Sequence, residues 1–371
     1  MKSDVVPIAR PTFGPEEEAA VLAVMRSGRF AQGEQVRRFE AAFAAATGAA
    51  FAVATSNGTT ALFLALLAHG VGPGDEVITS PLTFIATANA IAQTGARPVF
   101  ADVDDSLCLD PQAVARLIGP STRAVVPVHL HGNPCDVREF SELAARHNLT
   151  LIQDACQAVG ATVHGQQLGR YGTAVYSFYA TKNLTTGEGG MITSNEPAVA
   201  EFCSSLRHQG YSAQPYVHDR IGYNFRMTEM EAAIGLAQLV KLGRINDRRR
   251  SIASHYDWAI PADRFQRPSI EQGACHVFHQ YTLRLGPENG YSDDQAAARA
   301  RDRVREALDR AGVETGVYYP VPVHRQPAYR QFTGMASPQA ERASADMFSI
   351  PVHHSLSDAE VEYVADQLRR L

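Results

Sequence analysis

The sequence predicts an α/β protein, with a mostly parallel sheet flanked by helices and a smaller α+β domain at the C-terminus. Three observations carry this. Over the first two thirds of the chain, short apolar runs alternate with helical stretches of roughly ten residues, the pattern of crossover units in a parallel sheet. From Thr228 onward one long helical pattern replaces the alternation. The length of 371 residues, with 45% hydrophobic and 20% charged, is ordinary globular composition and suffices for one large domain plus a smaller one.

Phe51–Thr55 reads as a strand, followed by a helix over Asn57–Ala68. Glu76–Thr79 and Pro98–Asp102 read as strands either side of a helix at Phe84–Gln93. Ala124–Val128, Thr150–Gln153, Ala174–Phe178 and Met191–Thr193 extend the strand set, with a helix at Val137–His147. Met230–His255 contains no proline and predicts a continuous helix linking two domains, 1–245 with the N-terminal segment and 246–371. The second domain is expected to hold strands at His276–Leu285 and Gly316–Tyr319 and helices at Asp293–Ala311 and Asp358–Arg370. The proline-rich stretch Tyr319–Pro327 carries polar and aromatic residues and reads as a folded loop.

A net charge of -5 gives no reason to expect nucleic acid or an anionic membrane surface as partner. Arg248, Arg249 and Arg250 fall inside the long helical pattern and read as a solvated face. Met1–Pro11 lacks a charged-then-apolar signal pattern, and the longest apolar run, Ala61–Ala68, is too short to span a bilayer. The five cysteines (Cys108, Cys135, Cys156, Cys203, Cys275) are scattered with no CxxC pair, as expected of free thiols and not of disulfides or a zinc site. The expectation is a cytoplasmic protein with no metal.

Residues after strand ends are the ones to inspect, because ligands bind there in open parallel sheets. In the segment Tyr176–Gly190, Lys182 follows a strand and precedes a Gly-rich turn. A lysine whose pKa is depressed by its pocket can form an imine with an aldehyde; an isolated loop lysine can equally be a surface residue. In Leu151–Gln157 an apolar strand delivers Asp154 at its carboxyl end, with Gln157 three residues on. A carboxylate there can keep a heterocyclic nitrogen protonated, as a pyridoxal ring requires, or can simply cap the next turn. Gln157 could donate to the phenolic oxygen of the same ring. In Ala54–Leu62 a strand, a small polar turn with Asn57, Gly58 and Thr59, and a helix follow one another. Free amides at a helix start make a phosphate site, though the same residues are ordinary N-caps. The three elements together supply a phosphate cradle, a ring-nitrogen partner and an imine-forming lysine.

These segments resemble the DegT/DnrJ/StrS group of sugar aminotransferases, within the fold-type I (aspartate aminotransferase-like) enzymes that use pyridoxal 5'-phosphate (PLP). The resemblance runs from Gly28, Gly33 and Phe39-Glu40 through Gly74–Ile78, Val128–Gly132 and Gly222–Met227 to Tyr319–His324, and is most specific in Ser177–Gly190. It implies that Lys182 is the Schiff-base lysine and Asp154 the pyridine partner. Gly58, Thr59 and Ser177 then match phosphate ligands, and Phe84 matches the aromatic ring stacked on the cofactor. On its own, Phe84 reads as a core residue. Asn224, which alone reads as a turn residue, matches an asparagine that reaches the phosphate of the neighbouring subunit, implying a homodimer with shared sites. Tyr319 and His324 match positions that face the sugar.

The chain departs from the commoner family pattern at Asn57, His131, Cys156, Val159 and Tyr318. Asn57 stands where serine is frequent and retains hydrogen-bonding capacity. The implied function is transfer of an amino group from a donor, expected to be glutamate, to a keto-sugar carried on a nucleotide. Alternatives are amination of a cyclitol, a sugar dehydratase (a branch that has His in place of the lysine), and a non-catalytic PLP-binding regulator, which no DNA-binding element or basic extension supports.

Overall fold

Seven strands form the central sheet, in the spatial order Phe51–Thr55, Gly190–Ser194, Thr173–Ser177, Thr150–Asp154, Thr122–Val126, Glu76–Thr79 and Arg97–Phe100. A computed structural model describes residues 5–212, 214, 216–286, 291–332 and 336–371; the first four residues of the expected N-terminal segment lie outside them. Six of the strands run in one direction, and Gly190–Ser194 runs antiparallel to both its neighbours. Thr173–Ser177 and Gly190–Ser194 are buried at every position, which is why they read as unbroken apolar or small-residue runs.

Helices cover both faces. One layer packs Leu62, Leu64, Ile91, Val199 and Leu206 against Val126, Ile152 and Val175. The opposite layer is aromatic: Phe43 lies 5.0 Å from Tyr176 and 5.3 Å from Phe178, with Phe39 5.2 Å from Phe178. The Gly58–Ala68 helix is apolar on all sides because it is buried, not amphipathic.

The Glu229–Ala259 helix is 31 residues long. Thr228 starts it with a reciprocal cap: its hydroxyl accepts from the Glu231 amide at 3.2 Å, and Glu231 accepts from the Thr228 amide at 2.7 Å. Ala232 and Leu242 pack on the large sheet's core, whereas Ile252, Ala253 and Tyr256 belong to the core of the C-terminal part. There, an antiparallel sheet of Phe265–Gln266, Tyr281–Leu285 and Met347–Ile350 is covered by the helices Asp294–Arg310 and Asp358–Arg370. Val6 packs in this same core, and its amide donates to the Gly312 carbonyl at 2.8 Å.

Two expected strands are corrected. Gly316–Tyr319 forms only an isolated bridge from Gly316 to Ser349, since Pro320 and Pro322 end any extension. The strand expected over His276–Leu285 begins at Tyr281. Before it, Phe278 adopts φ +46 and its amide is taken by His276 Nδ1 at 2.8 Å, so no ladder can form. The fold also includes the helices Pro15–Ser27, Glu34–Thr47, Pro111–Ala115, Val137–His147, Pro197–Arg207 and Pro338–Asp346, and a small sheet of Ala274–Cys275, Thr162–Val163 and Gln166–Gln167.

Candidate active site

At the end of Phe51–Thr55, the start of a buried helix must satisfy its amides. Asn57 caps it, its side-chain oxygen accepting from the Thr60 amide at 2.9 Å. The Gly58 and Thr59 amides are left without a protein partner among the described residues, at the positive end of the helix dipole. A Cβ on Gly58 would stand 2.9 Å from Ser177 Cβ and 3.0 Å from Cys156 Sγ. Glycine therefore lets this turn lie against the ends of two neighbouring strands, with the Ser177 hydroxyl alongside. The product is an anion cradle.

Asp154 ends the Thr150–Asp154 strand and is buried. Its Oδ2 accepts from the Thr87 hydroxyl at 2.7 Å and its Oδ1 from the Cys156 amide at 3.2 Å. No cation pairs with it among the described residues, so a buried carboxylate stands here held by hydrogen bonds alone.

Lys182 sits in the turn after Thr173–Ser177, its amide bonded to the Tyr179 carbonyl at 2.9 Å. Asn183 clamps the turn, its Nδ2 donating to Asn246 Oδ1 and to the Val277 carbonyl, both at 2.8 Å. Burial pushes the Lys182 amine below the ordinary lysine range, opposed by the Cys156 thiol and the Asp154 carboxylate nearby. The chain has only three lysines. Lys2 lies outside the described residues, and Lys241 is bound to Glu16 and Glu17 at 3.0 and 2.7 Å, hydrogen bonds that raise its pKa. Lys182 is thus the described amine with a depressed pKa, within electrostatic reach of the buried Asp154 carboxylate and of Cys156, the residue that packs on the Gly58 turn.

The DegT/DnrJ/EryC1/StrS aminotransferase family matches residues 11–369. The chain belongs to this family. A pleiotropic regulatory protein of Geobacillus stearothermophilus is 39% identical over 362 residues, 95% of this chain and 94% of the relative. The spore coat polysaccharide biosynthesis protein SpsC of Bacillus subtilis (strain 168) is 38% identical over 388 residues, 99% of this chain and 97% of the relative. The crystal structure of S. venezuelae DesV superposes with a TM-score of 0.89 at 37% identity, covering 96% of this chain and 94% of that one.

This member of the DegT/DnrJ/EryC1/StrS family is accordingly a PLP-dependent sugar aminotransferase, and solved relatives carry the cofactor in its PLP and PMP forms. The residues present fit that group: two amides without a protein partner among the described residues and a hydroxyl for a phosphate, a buried carboxylate for a ring nitrogen, and an amine whose pKa burial lowers for an aldehyde.

The other residues singled out from the sequence of this aminotransferase fall in several places. Phe84 is 62% exposed, so its reading as a core residue is wrong; it stands three residues before Thr87, which bonds Asp154. The side-chain oxygen of Asn57 is spent on the helix cap. Gln157 is braced at both ends, Oε1 accepting from the His131 amide at 2.8 Å and Nε2 donating to the Tyr319 hydroxyl at 3.0 Å. Tyr319 is buried and stacked on His131 at 6.0 Å, its phenol pushed up by burial. His324 is buried, with Nε2 2.8 Å from Glu341. Asn224 is exposed and accepts from Arg226 Nε at 3.0 Å, while the next carbonyl, of Phe225, holds the Ser56 amide at 2.8 Å.

Sequence reasoning missed Thr87, His279 and Arg249. Thr87 had a faint signal, its hydroxyl lying one helical turn from that of Thr83 at 3.2 Å. His279 Nε2 lies 3.4 Å from Lys182 Nζ, and nothing in its sequence neighbourhood points at a lysine 97 positions away. Arg249, read as part of a solvated face, is buried and donates to the carbonyls of Phe278 and His279 at 2.9 and 3.2 Å.

Proposed function

We propose that this aminotransferase moves the amino group of glutamate to the keto carbon of a nucleotide-linked sugar, as a homodimer with shared active sites. The observation that carries the reading is Lys182, a depressed amine within electrostatic reach of the buried Asp154 carboxylate and of Cys156, which packs on the glycine-gated anion cradle. The name of the Bacillus relative, a spore coat polysaccharide biosynthesis protein, and that of the sugar aminotransferase CalS13 of Micromonospora echinospora are consistent with a sugar acceptor. The complete residue set weighs against a purely regulatory role, despite the name of the Geobacillus relative.

In this reading the Gly58 and Thr59 amides and the Ser177 hydroxyl bind the cofactor phosphate, and Phe84 covers one face of its ring. Asp154, oriented by Thr87, keeps the ring nitrogen protonated. When bound, the cofactor supplies an electron-poor ring that takes up the electron pair released as the donor's Cα–H bond breaks. Lys182, neutral for a larger fraction of the time than an exposed lysine, would take that proton on Nζ and deliver it to the cofactor's former aldehyde carbon, on the far side of the nitrogen from the donor carbon. Tyr319 and His324 shape the acceptor side through Gln157 and Glu341. Asn224 reaches the partner's phosphate; support comes from the exposed apolar residues of its loop, Tyr216 and Ile221 at 86% and 92% exposure, which a second copy would cover.

The test is amino transfer from 15N-amine glutamate or 15N-amide glutamine to a panel of nucleoside-diphosphate keto-sugars and keto-cyclitols, read by mass spectrometry. Label moving from glutamate to a nucleotide sugar supports the reading. Label appearing only on a cyclitol, or only from glutamine, contradicts it.

A further inference from the structure

Lys182 Nζ has one side-chain hydrogen-bond partner among the described residues, the imidazole Nε2 of His279 at 3.4 Å. That is the long end of the range, as is common for catalytic pairs without their ligand. We propose that His279 is a positioning residue for Lys182, its Nε2 accepting a hydrogen bond from the lysine nitrogen and holding it at the cofactor site whenever the lysine is not bonded there. The inference rests on Lys182 being the cofactor lysine.

The placement of this ring is built from several sides. Arg249, on the long helix, donates to the carbonyls of Phe278 and His279 and fixes the loop from below. The Val277 amide donates to the Gly132 carbonyl at 3.0 Å and the Gln280 amide to the His131 carbonyl at 3.1 Å, so the loop docks along the His131–Gly132 turn. A Cβ on Gly132, at φ +93, would lie 2.9 Å from the His279 nitrogen, so only glycine allows the approach. His131 and Phe278 both occupy the left-handed region, at φ +58 and +46, a strain that persists only where surrounding contacts over-determine it. The chain thus accepts strain on both sides of the contact that sets this ring against Lys182.

The electrostatics suit an acceptor. Burial, then Lys182, Arg249, His131 and His276, hold the His279 imidazole well below its ordinary range, so it is neutral and carries a lone pair. Facing Lys182 are His279, His131, Cys156 and Asp154. Of these His131 is likewise neutral, lowered to about 3, and the Cys156 thiol is pushed up by burial. With Nε2 accepting, the ring proton sits on Nδ1, which is buried and meets no hydrogen-bond partner among the described residues. A freed lysine that must carry a proton between two carbons gains from a fixed resting direction, because a long side chain otherwise samples many rotamers.

The test uses cofactor-free protein and reads competitive acetylation of lysine against pH by mass spectrometry, with Lys241 as internal reference. Accepting from the ammonium stabilises the charged form, so losing the acceptor lowers the lysine pKa further. His279→Phe and His279→Asn, which remove or retract the acceptor, are expected to lower the apparent pKa of Lys182 by about one unit, a tenfold rise in the amine-to-ammonium ratio. His279→Gln, whose amide oxygen reaches the same place, restores it. An unchanged or higher pKa in the Phe and Asn variants overturns the proposal. If His279→Phe fails to fold, the Asn and Gln pair, one methylene apart, carries the comparison. Added PLP should protect Lys182, and not Lys241, from acetylation in the wild type; absence of that protection contradicts the cofactor assignment separately from the role of His279.

Discussion

The Thr87 hydroxyl donates to Oδ2 of Asp154 across 2.7 Å, joining the start of the Ala86–Gln93 helix to the carboxyl end of a central strand. With Oδ1 turned to the Cys156 amide, this bond fixes the plane of a buried carboxylate. Hydrogen bonds to charged groups contribute roughly 1.5–3 kcal/mol. Thr87→Val keeps the shape and removes the donor. It is expected to lower kcat/KM by about tenfold or more, with PLP still bound. Steady-state kinetics beside a PLP absorbance titration checks this; unchanged kinetics would place the ring partner elsewhere.

Gly58→Ala places a methyl group where Ser177 and Cys156 already stand. Overpacking of this kind costs about 1–3 kcal/mol, and the backbone can relieve it only by moving the cradle amides. PLP affinity should fall by about tenfold or more at a 1.4 kcal/mol cost per decade, measured by equilibrium dialysis of cofactor-free protein. Retained affinity would mean that the phosphate binds away from this turn.

Acid should destabilise the protein above the range where its carboxylates titrate. His129 is fully buried and lowered to about 4 by burial, against a gain from Gln153. Its Nδ1 accepts from the Cys135 amide at 3.0 Å and its Nε2–H donates to Gln153 Oε1 at 3.2 Å, so protonation would break the first of these bonds. The unfolded chain, with histidine near 6.5, binds the proton first, so stability is complete above about pH 6.5 and is lost as pH falls toward about 4. Between pH 7.5 and 5.0, His129 alone accounts for roughly 2 kcal/mol at about 1.4 kcal/mol per unit. Urea unfolding of the cofactor-free protein at the two pH values measures this, and His129→Gln should shrink the difference by roughly 2 kcal/mol, leaving the share of the other buried histidines such as His131 and His279.

The carboxylate of Glu229 accepts from the amides of Gly33, Gln35 and Val36 at 2.8, 2.9 and 3.0 Å. It caps the Glu34–Thr47 helix, whose own N-cap is a glycine with no side chain to offer. Glu229→Ala leaves these amides unsatisfied at a partly buried helix start and is expected to cost about 2–3 kcal/mol. A drop below half a kcal/mol in denaturant unfolding would show that water replaces the cap.

Much of this fold was legible because each strand of the large sheet is a short apolar run followed by a polar turn. Lys182, Asp154 and Gly58 could be found because each stands at, or within a short turn of, the carboxyl end of such a strand. What escaped depends on residues far apart in the chain. Glu229 caps a helix that begins 195 positions earlier, at Glu34. His279 meets Lys182 across 97 positions, and Arg249 looks solvated in a run of three arginines while its guanidinium is buried under a loop. The pairing of His324 escaped for a related reason: a loop histidine carries no local sign that Glu341 will meet it. Periodicity reports the face a residue presents to its own element, not the partner that a distant segment brings to it.

The central claim is that Lys182 holds the cofactor. Borohydride reduction of the PLP-loaded protein fixes the cofactor on the amine that carries it, and peptide mass spectrometry locates that amine among only three lysines. The account predicts the pyridoxyl group on the peptide containing Lys182, and no fixed label after Lys182→Ala. Label on Lys241, or no label on a protein that nevertheless binds PLP, would contradict it.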